Sequence, residues 1–200
     1  ENSGLFEHAE ELEIQGVQAF WWSKKASMES IVKAAKVVAP AANLVSLNMM
    51  DEPVYNNAEL HPPELYHKIR LALRSADVIA PLSLTLFGPK PEWPREKNEM
   101  FKSYLKAIDV LRIDPYPIVG GRALRTVYDW SRLSQAFMKD IGKKLPLTVI
   151  LQAWSPADYP DGTPQLPSYA QLRNMAYQAF YSGADTVSFF SYDPAVWEKA

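Results

Sequence analysis

About six short, almost uninterrupted apolar runs are spread along the chain, and between neighbouring runs lie segments whose apolar residues recur with helical spacing. The runs cover residues 17–22, 43–50, 77–86, 110–117, 147–154 and 186–192. A strand with one face in water alternates apolar and polar residues, whereas a continuous apolar run belongs to a strand buried on both faces. Helices between such strands are the crossovers that parallel pairing requires. The pattern predicts a parallel α/β architecture.

Helical periodicity is expected over residues 5–15, stopped by Gly16. Ser27 is placed to cap a second helix with Ile31, Ala34, Ala35 and Val38 on its apolar side and Pro40 at its end. Pro62-Pro63 opens a third through Tyr66, Ile69 and Leu73. Later helices run through Met100, Tyr104 and Ile108, over residues 123–141, and through Leu172, Met175, Ala176 and Ala179 to Gly183. Pro81 lies inside the third apolar run and makes it the least regular. No glycine-rich phosphate loop follows the early strands, and Gly120-Gly121 is a lone pair, which counts against a nucleotide-binding doubly wound sheet. A (β/α)8 TIM-type barrel fits the order but needs about 250 residues. With 200 residues, the expectation is one domain, 1–200, forming an incomplete barrel. It would hold about six β/α units, strands three to eight, with the remainder supplied by the same parent polypeptide.

Composition narrows the functions. The chain is 48% hydrophobic and 22% charged, enough apolar material for one large core. A net charge of -2 supplies no basic field for nucleic acid. Cysteine is absent, which removes disulfides and thiolate chemistry, and three histidines, His8, His61 and His67, cannot build a zinc-type cluster. No apolar stretch reaches membrane-spanning length, and no cofactor is expected. The first residue is Glu1, so a removed leader is compatible with the chain, and a secreted or periplasmic location would suit action on a polysaccharide. Aromatic residues are the outlier: six Trp and ten Tyr, several at predicted strand ends, where a ring face can stack on a sugar.

The main chemical signal is Asp51-Glu52-Pro53, directly after the apolar run Leu44-Val-Ser-Leu-Asn-Met-Met50. Carboxylates at the end of a buried strand lie where barrel active sites form, and Pro53 fixes how the loop leaves. Consecutive residues on a regular strand point to opposite faces, so both can serve one pocket only if the strand departs from regular form there. Asp114 and Asp193 end later strands, and each either holds a substrate hydroxyl, acts as a second carboxylate, or caps its loop. Gln152, Trp154, Tyr116, Tyr192 and Trp22 are further strand-end candidates for hydrogen bonding and stacking.

Taken together, Met50-Asp-Glu-Pro53, Asp109-Val-Leu-Arg-Ile-Asp-Pro-Tyr-Pro117, Val149-Ile-Leu-Gln-Ala-Trp154, Arg173-Asn-Met-Ala-Tyr177 and Ser182-Gly-Ala-Asp-Thr-Val-Ser-Phe-Phe-Ser-Tyr192 resemble the motif order of glycoside-hydrolase-like (β/α)8 barrels. The resemblance implies that Glu52 is the general acid. Asp51 replaces the asparagine that usually precedes that residue, and Gln152 lies on the strand where retaining enzymes carry a nucleophilic glutamate. The adjacent Asp-Glu pair is similar instead to enzymes of N-acetylhexosamines, in which the aspartate orients the acetamido group. The leading expectation is a glycoside hydrolase acting on an oligo- or polysaccharide. A non-catalytic glycan-binding or structural barrel module is the alternative, and a third reading places Asp51, Glu52 and Asp114 on a hard cation.

Overall fold

The computed structural model describes residues 17–20 by their backbone, and 26–42, 44–53, 61–155 and 166–190 in full. The helix expected at 5–15, Trp22, Tyr192 and Asp193 lie outside the described residues. Strands β1 Val17–Phe20, β2 Leu44–Asp51, β3 Leu82–Leu86, β4 Val110–Ile113, β5 Leu147–Gln152 and β6 Thr186–Phe190 alternate with helices α1 Met28–Val38, α2 Pro63–Ser75, α3 Arg95–Ala107, α4 Thr126–Asp140 and α5 Tyr169–Tyr181. Strand order follows the chain, β1-β2-β3-β4-β5-β6, and β1–β2, β2–β3 and β5–β6 pair parallel. This is the parallel α/β arrangement of part of a (β/α)8 barrel.

Several strands are shorter than the apolar runs that announced them. The third run begins pairing only at Leu82, because Pro81 has no N–H to give; its carbonyl instead accepts the Leu47 N–H at 2.8 Å. The fourth stops at Ile113 before Pro115, and the fifth at Gln152. The helix expected from residue 123 begins at Thr126, after a turn through residues 124–125.

The chain divides into two compact units, Glu1–Leu86 with Glu99–Leu111, and Phe87–Asn98 with Arg112–Ala200. In the first, Ser27 caps α1 by accepting the Ser30 N–H at 3.2 Å. Pro63 starts α2, whose Tyr66, Ile69 and Leu73 are buried. All five residues of β3 are buried, polar Ser83 and Thr85 included, as a sheet covered on both faces requires. Tyr66 and Tyr104 rings lie 5.9 Å apart, and the Tyr104 hydroxyl donates to the His61 carbonyl at 2.7 Å. Burial, then the nearby Glu64 charge, pushes the Tyr104 hydroxyl up to about 12. In the second unit, Ser168 and Gln171 form a reciprocal capping box at the start of α5. Among the described residues, no helix is long and apolar enough to cross a membrane.

A recurring aspartate holds the entrances of the strands. Asp109, just before β4, donates its N–H to the Leu82 carbonyl at 2.8 Å. Its carboxylate accepts the Leu82 N–H at 3.0 Å and pairs with Arg70 at 3.0 Å. Asp185, just before β6, repeats the device on Leu147, at 2.9 Å and 2.8 Å. Each clamp satisfies the first N–H of a buried strand, a group costly to leave without a partner. Asp109→Ala is expected to destabilise the protein by about 2 kcal/mol, since it orphans the Leu82 N–H and removes the carboxylate from Arg70. Urea unfolding should show a lower midpoint with an unchanged slope.

Candidate functional site

In the first unit the exit of β2 is built on a polar stripe. The Ser46 and Ser83 hydroxyls lie 2.9 Å apart, and Asn48 Nδ2 donates to Thr85 Oγ1 at 3.2 Å, all of them buried. Asn48 stands opposite Ser83, and Asp51 opposite Thr85. Between these two positions β2 therefore carries one residue more than β3, a β-bulge. Parallel partners share a face of the sheet, so the extra residue brings Asp51 onto the face of Thr85, Ser83 and Asn48, which an uninterrupted alternation would have denied it. The next residue, Glu52, has φ +45°, in the left-handed region, and its N–H donates to the Thr85 carbonyl at 2.8 Å. Pro53 behind it is buried, Glu52 half-buried and Asp51 exposed. The bulge and the left-handed residue are the departure from regular strand form that two neighbouring carboxylates need if they are to serve one site. Asn48 Oδ1, on the same stripe, has no hydrogen-bond partner among the described residues.

In the second unit Asp114, 3% exposed, follows β4 directly. Tyr116 and Trp154 meet edge to face, centroids 5.8 Å apart at 86°, and Tyr116 stacks at 6.5 Å on Phe190. Gln152 ends β5 and is fully buried. Its Oε1 accepts the Val119 N–H at 3.1 Å and its Nε2 donates to the Trp154 carbonyl at 3.0 Å. The side chain thus clips the loop after β4 to the end of β5. A glutamate in this conformation would set a carboxylate oxygen against the Trp154 carbonyl, so the amide is the group that the clip requires.

Sequence reasoning missed a second feature of this unit. Phe87 and Trp130 pack at 4.9 Å, with Lys90 and Arg122 over their rings. The available signal was glycine: Gly88 lies where a Cβ would come within 2.4 Å of Trp130, and Gly120 belongs to the pair set aside as an isolated Gly-Gly. Trp22, Tyr192 and Asp193 fall outside the described residues. Among the described residues, no three His, Asp or Glu side chains form a group able to hold a metal ion.

No protein-family model matches the chain, and no curated protein sequence matches it. Solved structures do. A glucosidase from Croceicoccus marinus superposes with TM-score 0.67 at 14% identity over 96% of this chain and 45% of that one. An active-site mutant of Rhizomucor miehei β-1,3-glucanosyltransferase, in complex with laminaritriose, gives 0.61 at 12% identity over 96% and 71%. A protein of Burkholderia cenocepacia assigned provisionally as a phosphonomutase gives 0.54 at 14% identity over 90% and 72%. At such identities the likeness establishes the fold alone, part of a (β/α)8 barrel that the matched glycoside hydrolases share with the phosphonomutase-type protein; a barrel of this kind hosts many chemistries.

Two outcomes test the local geometry. A left-handed non-glycine residue costs about 1–2 kcal/mol, so Glu52→Gly should leave thermal stability unchanged or higher; a clear loss would mean that the side chain rather than the ladder bond to Thr85 holds this turn. Gln152→Glu should lower stability by about 2 kcal/mol, through carboxylate–carbonyl repulsion and a strained loop clip, measured by urea unfolding.

Proposed function

We propose that the protein cleaves glycosidic bonds, with Glu52 as the general acid and Asp51 as its partner. The observation that carries this reading is the bulged exit of β2. An extra residue and a left-handed backbone are costly at the end of a buried strand, and such irregularities gather where side chains must be aimed at a ligand. The fold shared with glucosidases and a glucanosyltransferase supports the class of reaction, and the strand-end position supports the location. Glu52 gives its proton to the leaving oxygen as the bond to the anomeric carbon breaks. With an amide at Gln152 engaged in holding a loop, the second push is assigned to the acetamido oxygen of a 2-acetamido sugar, oriented by Asp51. That oxygen closes on the anomeric carbon and water then opens the ring, returning the proton to Glu52. Asp114, Tyr116, Trp154, Tyr192, Asp193 and Trp22 are assigned to substrate binding, Gln152 to positioning the loop that carries two of them. The exposed Phe189 and Phe190 of β6 and Tyr177, Phe180 and Tyr181 of α5 are assigned to packing against the remainder of the barrel in the parent polypeptide.

One observation favours a second reading, a glycan-binding module without catalysis: Gln152 occupies the strand end where a nucleophile is usual, with both its polar atoms turned to backbone. The two readings diverge in the Glu52→Gln variant. Hydrolysis should fall by about 10²–10⁴-fold while sugar affinity persists, and Asp51→Asn should lose rate chiefly on 2-acetamido glycosides. Equal rates of the parent on matched glycosides with and without the acetamido group would remove substrate assistance. Sugar binding with no turnover by the parent protein would leave the binding module.

A further inference from the structure

Lys90 and Arg122 come from different loops, the first after β3 and the second after β4, yet both settle on the same aromatic pair. Lys90 Nζ lies 4.7 Å from the Phe87 ring and 5.8 Å from Trp130; the Arg122 guanidinium lies 5.9 Å and 5.2 Å from the same rings. The arrangement is built rather than incidental. Any side chain at Gly88 would run into Trp130, and any at Gly120 would meet the Arg122 guanidinium at 2.6 Å and the Tyr116 carbonyl at 3.1 Å. The Arg122 loop is held by its own bonds, Gly120 N–H to the Tyr116 carbonyl at 3.2 Å and Arg122 N–H to the Pro117 carbonyl at 2.7 Å. The Gln152 clip on Val119 fixes it further.

Among the described residues, the cations around Lys90, namely Arg122 and Lys97, outnumber the one carboxylate, Glu92. Among the described residues neither Lys90 nor Arg122 is in an ion pair. Burial and then the Arg122 charge hold Lys90 below the ordinary lysine range; Glu92 acts the other way with a smaller effect, and Lys97 adds to the repulsion. Aromatic faces stabilise cations but do not neutralise them. Two cations that share one aromatic pair, half-buried Lys90 and exposed Arg122, on loops at strand exits are the electrostatic form of a seat for an anion.

We infer that Lys90 and Arg122, seated on Phe87 and Trp130, bind an anionic substituent of the carbohydrate, the carboxylate of a uronic acid or a sulfate ester. This rests on the glycosidase reading for the sugar, and on the cluster alone for the charge. The test is equilibrium titration of the protein with three probes: trigalacturonate, its carboxyl-reduced neutral counterpart, and a sulfated neutral trisaccharide. An anionic probe should bind at least about tenfold more tightly than the neutral one, the scale of one charge-assisted contact. Lys90→Met and Arg122→Gln should each erase that preference while neutral-sugar affinity and melting temperature hold, and Lys90→Arg should restore it. Preference for trigalacturonate identifies a carboxylate site, and preference for the sulfated probe a sulfate site. Equal binding of charged and neutral probes, or a preference that survives both substitutions, overturns the inference. Hydrolysis of neutral glycosides with no anionic preference would sink this inference and leave the glycosidase reading; selective anionic binding without hydrolysis would do the reverse.

Discussion

Asp51 stands opposite Thr85 because β2 carries one residue more than β3 above Asn48. The period of a strand is two, so a single extra residue exchanges the faces of everything beyond it. Without it, Met50 would follow Ser46 and Asn48 on the polar face and Asp51 would turn the other way. With it, the apolar alternation below stays intact, with Leu47 and Met49 buried, while the chain delivers two carboxylates in succession to its exit. The Glu52 N–H bond to Thr85 then fixes the left-handed turn. Substrate, mechanism and residue roles in the proposed function all depend on that local irregularity.

The two ends of the strands are built for different purposes. At their entrances Asp109 and Asp185 satisfy the first amides of β3 and β5, and the Arg70 ion pair completes one clamp. These residues resist fraying by pairing the amides that open the strands. At their exits the polar groups serve positioning instead. Gln152 spends both ends of its amide on loop backbone, and the loop so held carries Asp114, Tyr116 and Arg122. Rigid entrances and aimed exits are the division of labour that (β/α)8 barrels use.

Much of the fold was legible because burial on both faces leaves an apolar run that no polar alternation interrupts. Ser27, Pro63 and Gly183 marked helix boundaries through chemistry that acts over three or four residues. The length of β3 was not legible from hydropathy alone, since residues 77–80 are nearly as apolar as the strand they precede. The bulge was invisible for a deeper reason. Register is a property of two strands, and Met49-Met50 carries no sign of which partner each will face. Asp109 and Asp185 were likewise read as parts of motifs rather than as clamps, because the amides they satisfy lie 27 and 38 residues away. Glycine held the overlooked information about Trp130 and Arg122: Gly88 and Gly120 matter for what packs against them, not for their own conformations.

The most direct test of Glu52 as a general acid is the leaving-group dependence of hydrolysis. Aryl glycosides whose phenols leave as stable anions need no proton, whereas alkyl glycosides do. The account predicts that Glu52→Gln keeps kcat/KM on dinitrophenyl glycosides, which reports the bond-breaking step, within about tenfold of the parent while losing about 10²-fold or more on alkyl glycosides. An equal loss on both classes would contradict it, because a residue that donates no proton to the departing oxygen has no reason to distinguish them.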